Sequence, residues 1–220
     1  MGKNKKTIGY FNIIILNLLP VLGVFYQGWT IFYIVYLFWF ESLILSFFIF
    51  FKIIFANKDY QDELYKDQKT ESKFTIGIRY LLIRIGVLVF YLIFILAFIA
   101  FAGNENGNST GDVIELIAFM NPSFNIVALL FSISLLIDFV FNYIISGVSK
   151  KTDPHQYSIF DSRTLILHIV IVLGAVIYSN TKDNFQDNKM LFIQIYLSLF
   201  IVVKVICEII LTKYETVKEV

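Results

Sequence analysis

The chain has 220 residues, of which 58% are hydrophobic and 16% are charged. Soluble domains are about 45–50% apolar and about 25% charged, so this composition excludes an ordinary soluble domain and predicts an all-α membrane protein. A single Cys excludes a disulfide framework and a cysteine zinc site. A net charge of +1 leaves no basic excess, so the predicted partner is the lipid bilayer and not a nucleic acid.

Six apolar segments are long enough to cross the hydrocarbon core of a membrane, which takes about 20 helical residues. They predict a single transmembrane domain over residues 1–220, a polytopic bundle of about six helices. The predicted spans cover residues 8–25, 29–55, 76–102, 124–148, 164–179 and 190–212. Only residues 26–28 separate the first two spans, which predicts a tight antiparallel hairpin. Pro20 and Gly23 predict a kink or an unwound turn near the outer end of the first span.

Polar segments between the spans predict two loops of some length. Residues 56–75 interleave both signs of charge and are predicted to form a solvated cytoplasmic linker. The outer loop opens at residues 103–107 with a Gly/Asn-rich sequence that predicts a flexible polar turn. Residues 112–120 follow with apolar side chains at helical spacing, which predicts a short interfacial helix on the outer leaflet. Asn121-Pro122 is predicted to end that helix.

The positions of Lys and Arg predict the orientation in the membrane. With the N-terminus inside, nearly all Lys and Arg residues that lie outside the spans fall on the inner side. Only Lys182 and Lys189 fall on the outer side. Because cytoplasmic loops carry an excess of Lys and Arg, both termini are predicted to be cytoplasmic.

Eight polar or charged side chains within or at the ends of the predicted spans form a candidate binding site. They are Glu41, Arg84, Asp138, Asn142, Arg163, His168, Lys204 and Glu208. An ionisable group at mid-bilayer costs about 2.5–3.5 kcal/mol on insertion scales, so such groups are usually functional. The charged members lie from mid-membrane to the cytoplasmic half and their signs balance, which predicts one connected buried site.

Helical spacing supports inward-facing positions for these groups. Residues four apart predict a polar stripe on the fourth span, formed by Ser134, Asp138, Asn142 and Ser146. Lys204 and Glu208 are one helical turn apart and are predicted to pair.

A structural interpretation competes with the functional one at several positions. Ion pairs inside a bundle also fix helix packing, and this role is favoured for Lys204 and Glu208. Arg84 and Arg163 have the alternative of snorkelling to the cytoplasmic interface, which is favoured for Arg163. His168 suits a hydrogen-bonded packing residue as well as a ligand.

Signatures of common active sites are missing from the sequence. It contains two histidines, His155 and His168, at no metal-binding spacing. It has no HExxH motif, no phosphate-binding glycine loop and no Gly-x-Ser-x-Gly elbow. No metal and no cofactor are therefore predicted, and enzyme activity is left open.

Two sequence blocks carry a resemblance to a known family. The first block has a Pro-x-x-Gly, Gly-Trp and aromatic-Trp-x-Glu pattern at residues 17–23, 28–29 and 38–41. The second has Arg163, Leu167-His168 and Gly174, with weaker matches at Asn142-Tyr143 and at Lys204 and Glu208. Both blocks resemble the uncharacterised bacterial integral membrane proteins known as domain of unknown function 6498.

The resemblance implies a protein of the bacterial cytoplasmic membrane with no established activity. It points to five of the candidate residues, namely Glu41, Arg163, His168, Lys204 and Glu208. The chain departs from the family at Ser42, where Asn is frequent, and lacks the family's additional histidines in the third and fourth spans. A shared histidine metal site is therefore not predicted.

Three functions remain open at this point. The first is ion- or proton-coupled transport or small-ligand binding, with Glu41 and Asp138 as binding acids and Pro20 to Gly23 as a broken-helix element. Because six spans without a repeat are few for a transporter, this hypothesis includes a homo-oligomer. The second is an accessory or assembly subunit whose charges are structural. The third is a membrane-embedded enzyme acting on a lipid-like substrate, with Glu41 or His168 as acid/base.

Overall fold

A computed structural model describes the chain over residues 18–29, 31–56, 71–106, 114–115, 117–159, 201–202 and 204–206. Across these ranges the regular secondary structure is helical and contains no strand, as the sequence predicts. The predicted fifth span at residues 164–179 lies outside the described residues. Of the predicted sixth span, residues 201–202 and 204–206 are described, and they are helical.

Four helices are numbered here in chain order. They are α1, described over Leu18–Gln27, α2 at Ile31–Phe55, α3 at Lys73–Asn106, and α4 at Pro122–Ile137, which continues as a π-helix over Asp138–Ile145. Among the described residues, three stretches are long and apolar enough to cross a membrane: Phe32–Phe55, Lys73–Ala97 and Pro122–Ile145. They coincide with the predicted second, third and fourth spans, which are confirmed as apolar helices of membrane length.

A tight turn joins α1 to α2, as the short polar interval predicts. Gly28 adopts a φ of 65°, a left-handed conformation that glycine reaches without steric cost. The chain then turns back, so that the Trp29 N–H donates to the carbonyl of Gly23 at 3.2 Å. The predicted unwinding near Pro20 is wrong, because residues 18–27 are helical throughout.

Gly23 provides space for a ring and does not break the helix. A Cβ atom at this position would lie 2.5 Å from the Cδ2 and Cε3 atoms of Trp29, which is buried. Overpacking a core costs about 1–3 kcal/mol. We expect Gly23→Ala to lower the free energy of unfolding of the detergent-solubilised protein by about 1–3 kcal/mol, which is measured as a lower thermal midpoint.

Gly86 on α3 offers the matched control for this prediction. Among the described residues, and apart from the backbone of its own helix and its two chain neighbours, no atom lies within 4 Å of a Cβ built at Gly86, and its φ is not left-handed. Replacing such a glycine by alanine in a helix typically stabilises by about 0.4–1 kcal/mol. Equal midpoints for Gly23→Ala and Gly86→Ala would contradict the packing role of Gly23.

α2 is the central helix of the described structure and packs against both α3 and α4. α3 runs antiparallel to it. Near the end of α2, Phe50 contacts Phe74 at the start of α3, with ring centroids 6.4 Å apart. Near the start of α2, the buried Trp39 Nε1 donates to the carbonyl of Leu88 at 2.7 Å.

α4 runs parallel to α2 on the other side. Tyr33 near the start of α2 contacts Phe124 near the start of α4, with ring centroids 6.5 Å apart. Phe48 contacts Phe139 farther along both helices, at 5.9 Å. The starts of α2 and α4 therefore lie at one end of the bundle, which is the outer end in the predicted orientation.

α3 is longer than the sequence predicts. Residues 103–106, expected to form a flexible polar turn, are its final helical residues. A single glycine costs about 1 kcal/mol in a helix interior, which is too little to end a helix of this length.

The residues expected to end the outer helix instead begin α4. The Asn121 side chain accepts from the Phe124 N–H at 3.0 Å, and Pro122 occupies the first turn of α4. Both residue types are favoured at these positions, because the cap satisfies a free N–H and proline has none to satisfy. Of the predicted outer helix, residues 114–115 and 117 are helical.

The chain folds back on the helix ends after α4. Gly147 has a φ of 76° and is followed by short 3-10 turns at Val148–Lys150 and Pro154–Gln156. The second turn packs against α2 and α3, and Tyr157 joins a small apolar cluster there. Burial, together with the neighbouring Tyr143, raises the pKa of the Tyr157 phenol. The docked segment is therefore favoured while this phenol is neutral, and that contribution is lost as the pH rises above about 10.

Candidate functional site

Glu41 lies near the middle of α2 and forms a buried ion pair with Lys204. The carboxylate Oε2 and the ammonium Nζ are 2.6 Å apart. The side chains of Glu41 and Lys204 are 10% and 7% exposed. The pair therefore ties the central helix to the helical segment around residue 204, within the predicted sixth span.

Two aromatic rings lie beside this ammonium. The Lys204 Nζ lies 3.9 Å from the ring centroid of Phe38 and 5.5 Å from that of Phe131. Phe38 precedes Glu41 by three residues, so its ring and the carboxylate occupy neighbouring positions on one face of α2. Phe131 comes from α4, and both rings are buried. Because a ring face attracts a cation most strongly when water is excluded, α2 and α4 together build a dry site for a positive charge.

The predicted partner of Lys204 was its helical neighbour Glu208. Glu208 lies outside the described residues, so that pairing stays a prediction. The structure adds Glu41, which helical spacing within the sixth span does not reveal, because the two residues are 163 positions apart.

Arg84 on α3 is completely buried. It contacts α2 at Ser46, about one helical turn after Glu41. Its Nε donates to Ser46 Oγ at 3.1 Å, and its Nη1 donates to the carbonyl of Ile159 at 2.6 Å. Ser46 in turn donates to the Ser42 carbonyl at 2.7 Å. The snorkelling alternative for Arg84 is therefore wrong, because the guanidinium is held inside the protein between two helices and the segment that follows α4.

Asp138 lies beside the last turn of α2. It is the first residue of the π-helix, and its Oδ2 lies 3.0 Å from the Nζ of Lys52, in the last turn of α2. Its other oxygen accepts from Asn142 Nδ2 at 3.0 Å. The Asp138 side chain is 48% exposed.

The π-helix aligns Tyr143 with Asp138. Residues five apart point about 140° away from each other in an α-helix, whereas i→i+5 bonding brings them towards one face. The Tyr143 hydroxyl donates to the Lys52 carbonyl at 2.6 Å, and the Lys52 Nζ lies 5.6 Å from the Tyr143 ring centroid. That carbonyl is among the last four of α2, which have no partner within the helix. The π-helix thus lets α4 cap the end of α2.

We expect Tyr143→Phe to lower the free energy of unfolding by about 0.5–1.5 kcal/mol, because the Lys52 carbonyl loses a hydrogen-bond donor. Thermal unfolding in detergent measures the change. Tyr26→Phe is the control, because Tyr26 is 80% exposed. The capping role would be refuted by a Tyr143→Phe variant that unfolds at the wild-type temperature.

The described candidate residues do not meet at a single point. They occupy three levels along α2, marked by Glu41, Ser46 and Lys52, which span about 16 Å of helix axis. The polar stripe of α4 is present from Asp138 through Asn142 to Ser146, whose hydroxyl donates to the Asn142 carbonyl. Three further candidates, Arg163, His168 and Glu208, lie outside the described residues.

Several members of these clusters were missed from the sequence. Ser42 and Ser46 are four residues apart, the same spacing that marks the stripe on α4, so this signal was available. Lys52 lies near the end of the predicted second span and was not among the candidate residues. Phe38 and Phe131 carry no signal, because phenylalanine occurs in five of the six predicted spans. Within the described ranges, no group of three or more His, Cys, Asp or Glu side chains is placed to hold a metal ion.

A known protein family matches nearly the whole chain. A model of the family of unknown function DUF6498 matches residues 1–218. The chain belongs to this family. Membership confirms the resemblance seen at the first hairpin and at the aromatic-Trp-x-Glu pattern that contains Glu41. No curated protein and no solved structure matches the chain. The function of this DUF6498 protein is therefore argued from its own geometry.

Proposed function

We propose that this DUF6498 protein is a multi-pass protein of the cytoplasmic membrane in which Glu41 exchanges its partner between Lys204 and a proton. The observation that supports this most is the buried ion pair between α2 and the segment around Lys204. Charges removed from water are stabilised chiefly by each other, and losing one leaves the other at high cost. A proton on Glu41 therefore favours release of Lys204 and movement of its helix, which couples proton uptake to a conformational change.

Polar side chains lead from this pair towards the predicted cytoplasmic end. Ser42 and Ser46 are buried on α2 and contact each other, and Ser46 contacts Arg84. Beyond them, Lys52 and Asp138 are partly exposed. Hydrogen-bonding groups of this kind inside a membrane bundle are expected along an ion or proton pathway. They support access to Glu41 from the cytoplasmic side.

The proposal includes six spans with both termini in the cytoplasm, and a homo-oligomer. Five cationic residues of the described structure lie at the end of the bundle where α2 finishes and α3 begins: Lys52, Lys73, Arg79, Lys150 and Lys151. Such clustering is typical of the cytoplasmic side. It supports the orientation argued from the sequence.

Proton uptake by proteoliposomes tests the proposal. A potassium diffusion potential is imposed with valinomycin, and a dye trapped inside reports the internal pH. We expect wild-type vesicles to acidify faster than empty vesicles, and Glu41→Gln vesicles to behave as empty ones. Equal uptake by wild-type and empty vesicles, with a folded protein, would contradict proton coupling.

Glu71→Gln is the matched control in the same assay. Glu71 forms a 3.0 Å ion pair with Arg79 on the surface, and both side chains are about half exposed. Removing this carboxylate leaves the buried pair intact, so uptake at the wild-type rate is expected. Loss of uptake in this variant would mean that the assay does not report on Glu41.

A second candidate is an accessory or assembly subunit in which the pair only holds helices together. The short 2.6 Å contact and the packing of Lys204 on Phe38 favour it, because both restrain the ammonium. In that case wild-type vesicles take up no protons, and Glu41→Gln changes stability alone. The uptake assay therefore separates the two candidates.

A further inference from the structure

We infer that the site formed by Glu41, Phe38 and Phe131 binds small primary alkylammonium ions, with Lys204 as its tethered occupant. The inference rests on the proposed function, because both require that the Glu41 carboxylate change partners. It goes further in naming the chemical class of ligand that fits when Lys204 moves away.

The geometry around the Lys204 nitrogen carries the inference. A carboxylate oxygen lies at 2.6 Å and accepts from the ammonium, while the Phe38 ring centroid lies at 3.9 Å and the Phe131 centroid at 5.5 Å. Phe38 and Phe131 are 5% and 4% exposed, and the Glu41 side chain is 10% exposed. One acidic acceptor with buried ring faces is the arrangement by which proteins recognise organic ammonium ions.

The same geometry disfavours a hard metal cation. Calcium takes six to eight oxygen ligands, and magnesium requires near-ideal octahedral oxygen geometry. The two rings described beside the site, Phe38 and Phe131, offer carbon faces and no oxygen ligand. An ammonium ion instead directs its N–H groups to Glu41 and packs its remaining surface on the rings.

The Lys204 side chain also defines the size of the ligand. Replacing Lys204 by alanine removes Cγ, Cδ, Cε and the ammonium, which together equal n-propylammonium. The variant therefore removes a group of that size from beside the Glu41 carboxylate and the Phe38 and Phe131 rings. n-Propylammonium is the probe that tests the site.

Ligand rescue of Lys204→Ala is the experiment. The purified full chain in lipid nanodiscs is titrated with n-propylammonium chloride, or with potassium chloride at equal ionic strength, and the thermal midpoint is followed. We expect a saturable upward shift with n-propylammonium in Lys204→Ala, and no such shift with potassium or in the wild type. An equal response to both salts, or in both proteins, would overturn the inference.

Two further variants locate any rescue. Glu41→Gln/Lys204→Ala lacks the carboxylate and should lose the saturable shift. Lys52→Ala is the matched control, because it removes the same side chain from an ion pair with the half-exposed Asp138, 3.0 Å away. It should show no saturable shift. Rescue of equal size in either variant would mean that n-propylammonium acts elsewhere, which overturns the assignment.

Recovery provides a second readout if Lys204→Ala does not survive purification. The variant is then extracted and purified throughout in n-propylammonium chloride or in potassium chloride, and monodisperse protein is quantified. Several-fold greater recovery with n-propylammonium is expected, and equal recovery overturns the inference. If the wild type takes up protons but Lys204→Ala is not rescued, the ammonium site is refuted and proton exchange at Glu41 stands. If Lys204→Ala is rescued but the wild type takes up no protons, the ammonium site stands and proton coupling is refuted.

Discussion

Lys204→Met should lower the free energy of unfolding by about 3–5 kcal/mol, because it leaves the Glu41 carboxylate buried without its cation. Met keeps most of the aliphatic stem, so the loss comes mainly from charge and not from a cavity. The quantity is measured by reversible unfolding of the detergent-solubilised protein under one set of conditions.

The double variant Glu41→Gln/Lys204→Met should recover much of that loss. Removing both charges of a buried pair is often close to neutral, whereas removing one is strongly destabilising. The two single variants and the double variant form a cycle whose coupling energy reports the contact itself. Strictly additive losses would show that Glu41 and Lys204 do not interact.

The second large effect is expected at Arg84. Arg84→Met should cost about 3–5 kcal/mol, because it removes charged donors to the Ser46 hydroxyl and the Ile159 carbonyl, each worth about 1.5–3 kcal/mol. The lost bond to Ile159 also frees the segment that docks beneath α2 and α3. Amide exchange at residues 157–159 should therefore become faster than in the wild type.

Arg79→Met is the matched control on the same helix. Arg79 pairs with Glu71 at 3.0 Å, but its side chain is 54% exposed. Exposed pairs contribute about 0–1 kcal/mol, so a small change and unaltered exchange at residues 157–159 are expected. If both arginine variants lost the same stability, burial of Arg84 would not be the cause.

The long apolar runs predicted three helices of the fold, because a run of about 20 apolar residues has few alternatives to a buried helix. The turn at Gly28 followed from the shortness of the polar interval. The change from α- to π-helix at Asp138 did not follow from the sequence. It accompanies the contact of Tyr143 with the Lys52 carbonyl, and that contact joins residues 91 positions apart.

The energetic cost of buried charge selected four residues that the structure places in polar contacts: Glu41, Arg84, Asp138 and Lys204. It selected the two partners Glu41 and Lys204, but not Ser46 and Lys52, the partners of Arg84 and Asp138. Partners on other helices, such as Lys52 for Asp138, lie 86 positions away and leave no local spacing to detect. The prediction of one connected site rested on the shared half of the membrane and on balanced signs, neither of which shows that Glu41 and Lys52 contact different partners along α2.

Infrared spectroscopy of the carboxyl groups tests the exchange of Glu41 most directly, because a protonated carboxyl and a carboxylate absorb separately. The protein in nanodiscs is titrated from neutral to acidic pH, and Glu41→Gln is subtracted from the wild type, with Glu71→Gln as the control. We predict a protonated carboxyl band that appears while the protein is still folded and that only Glu41→Gln removes. A Glu41 that stays a carboxylate until the protein unfolds would contradict the exchange, and would make its pair with Lys204 a fixed structural contact.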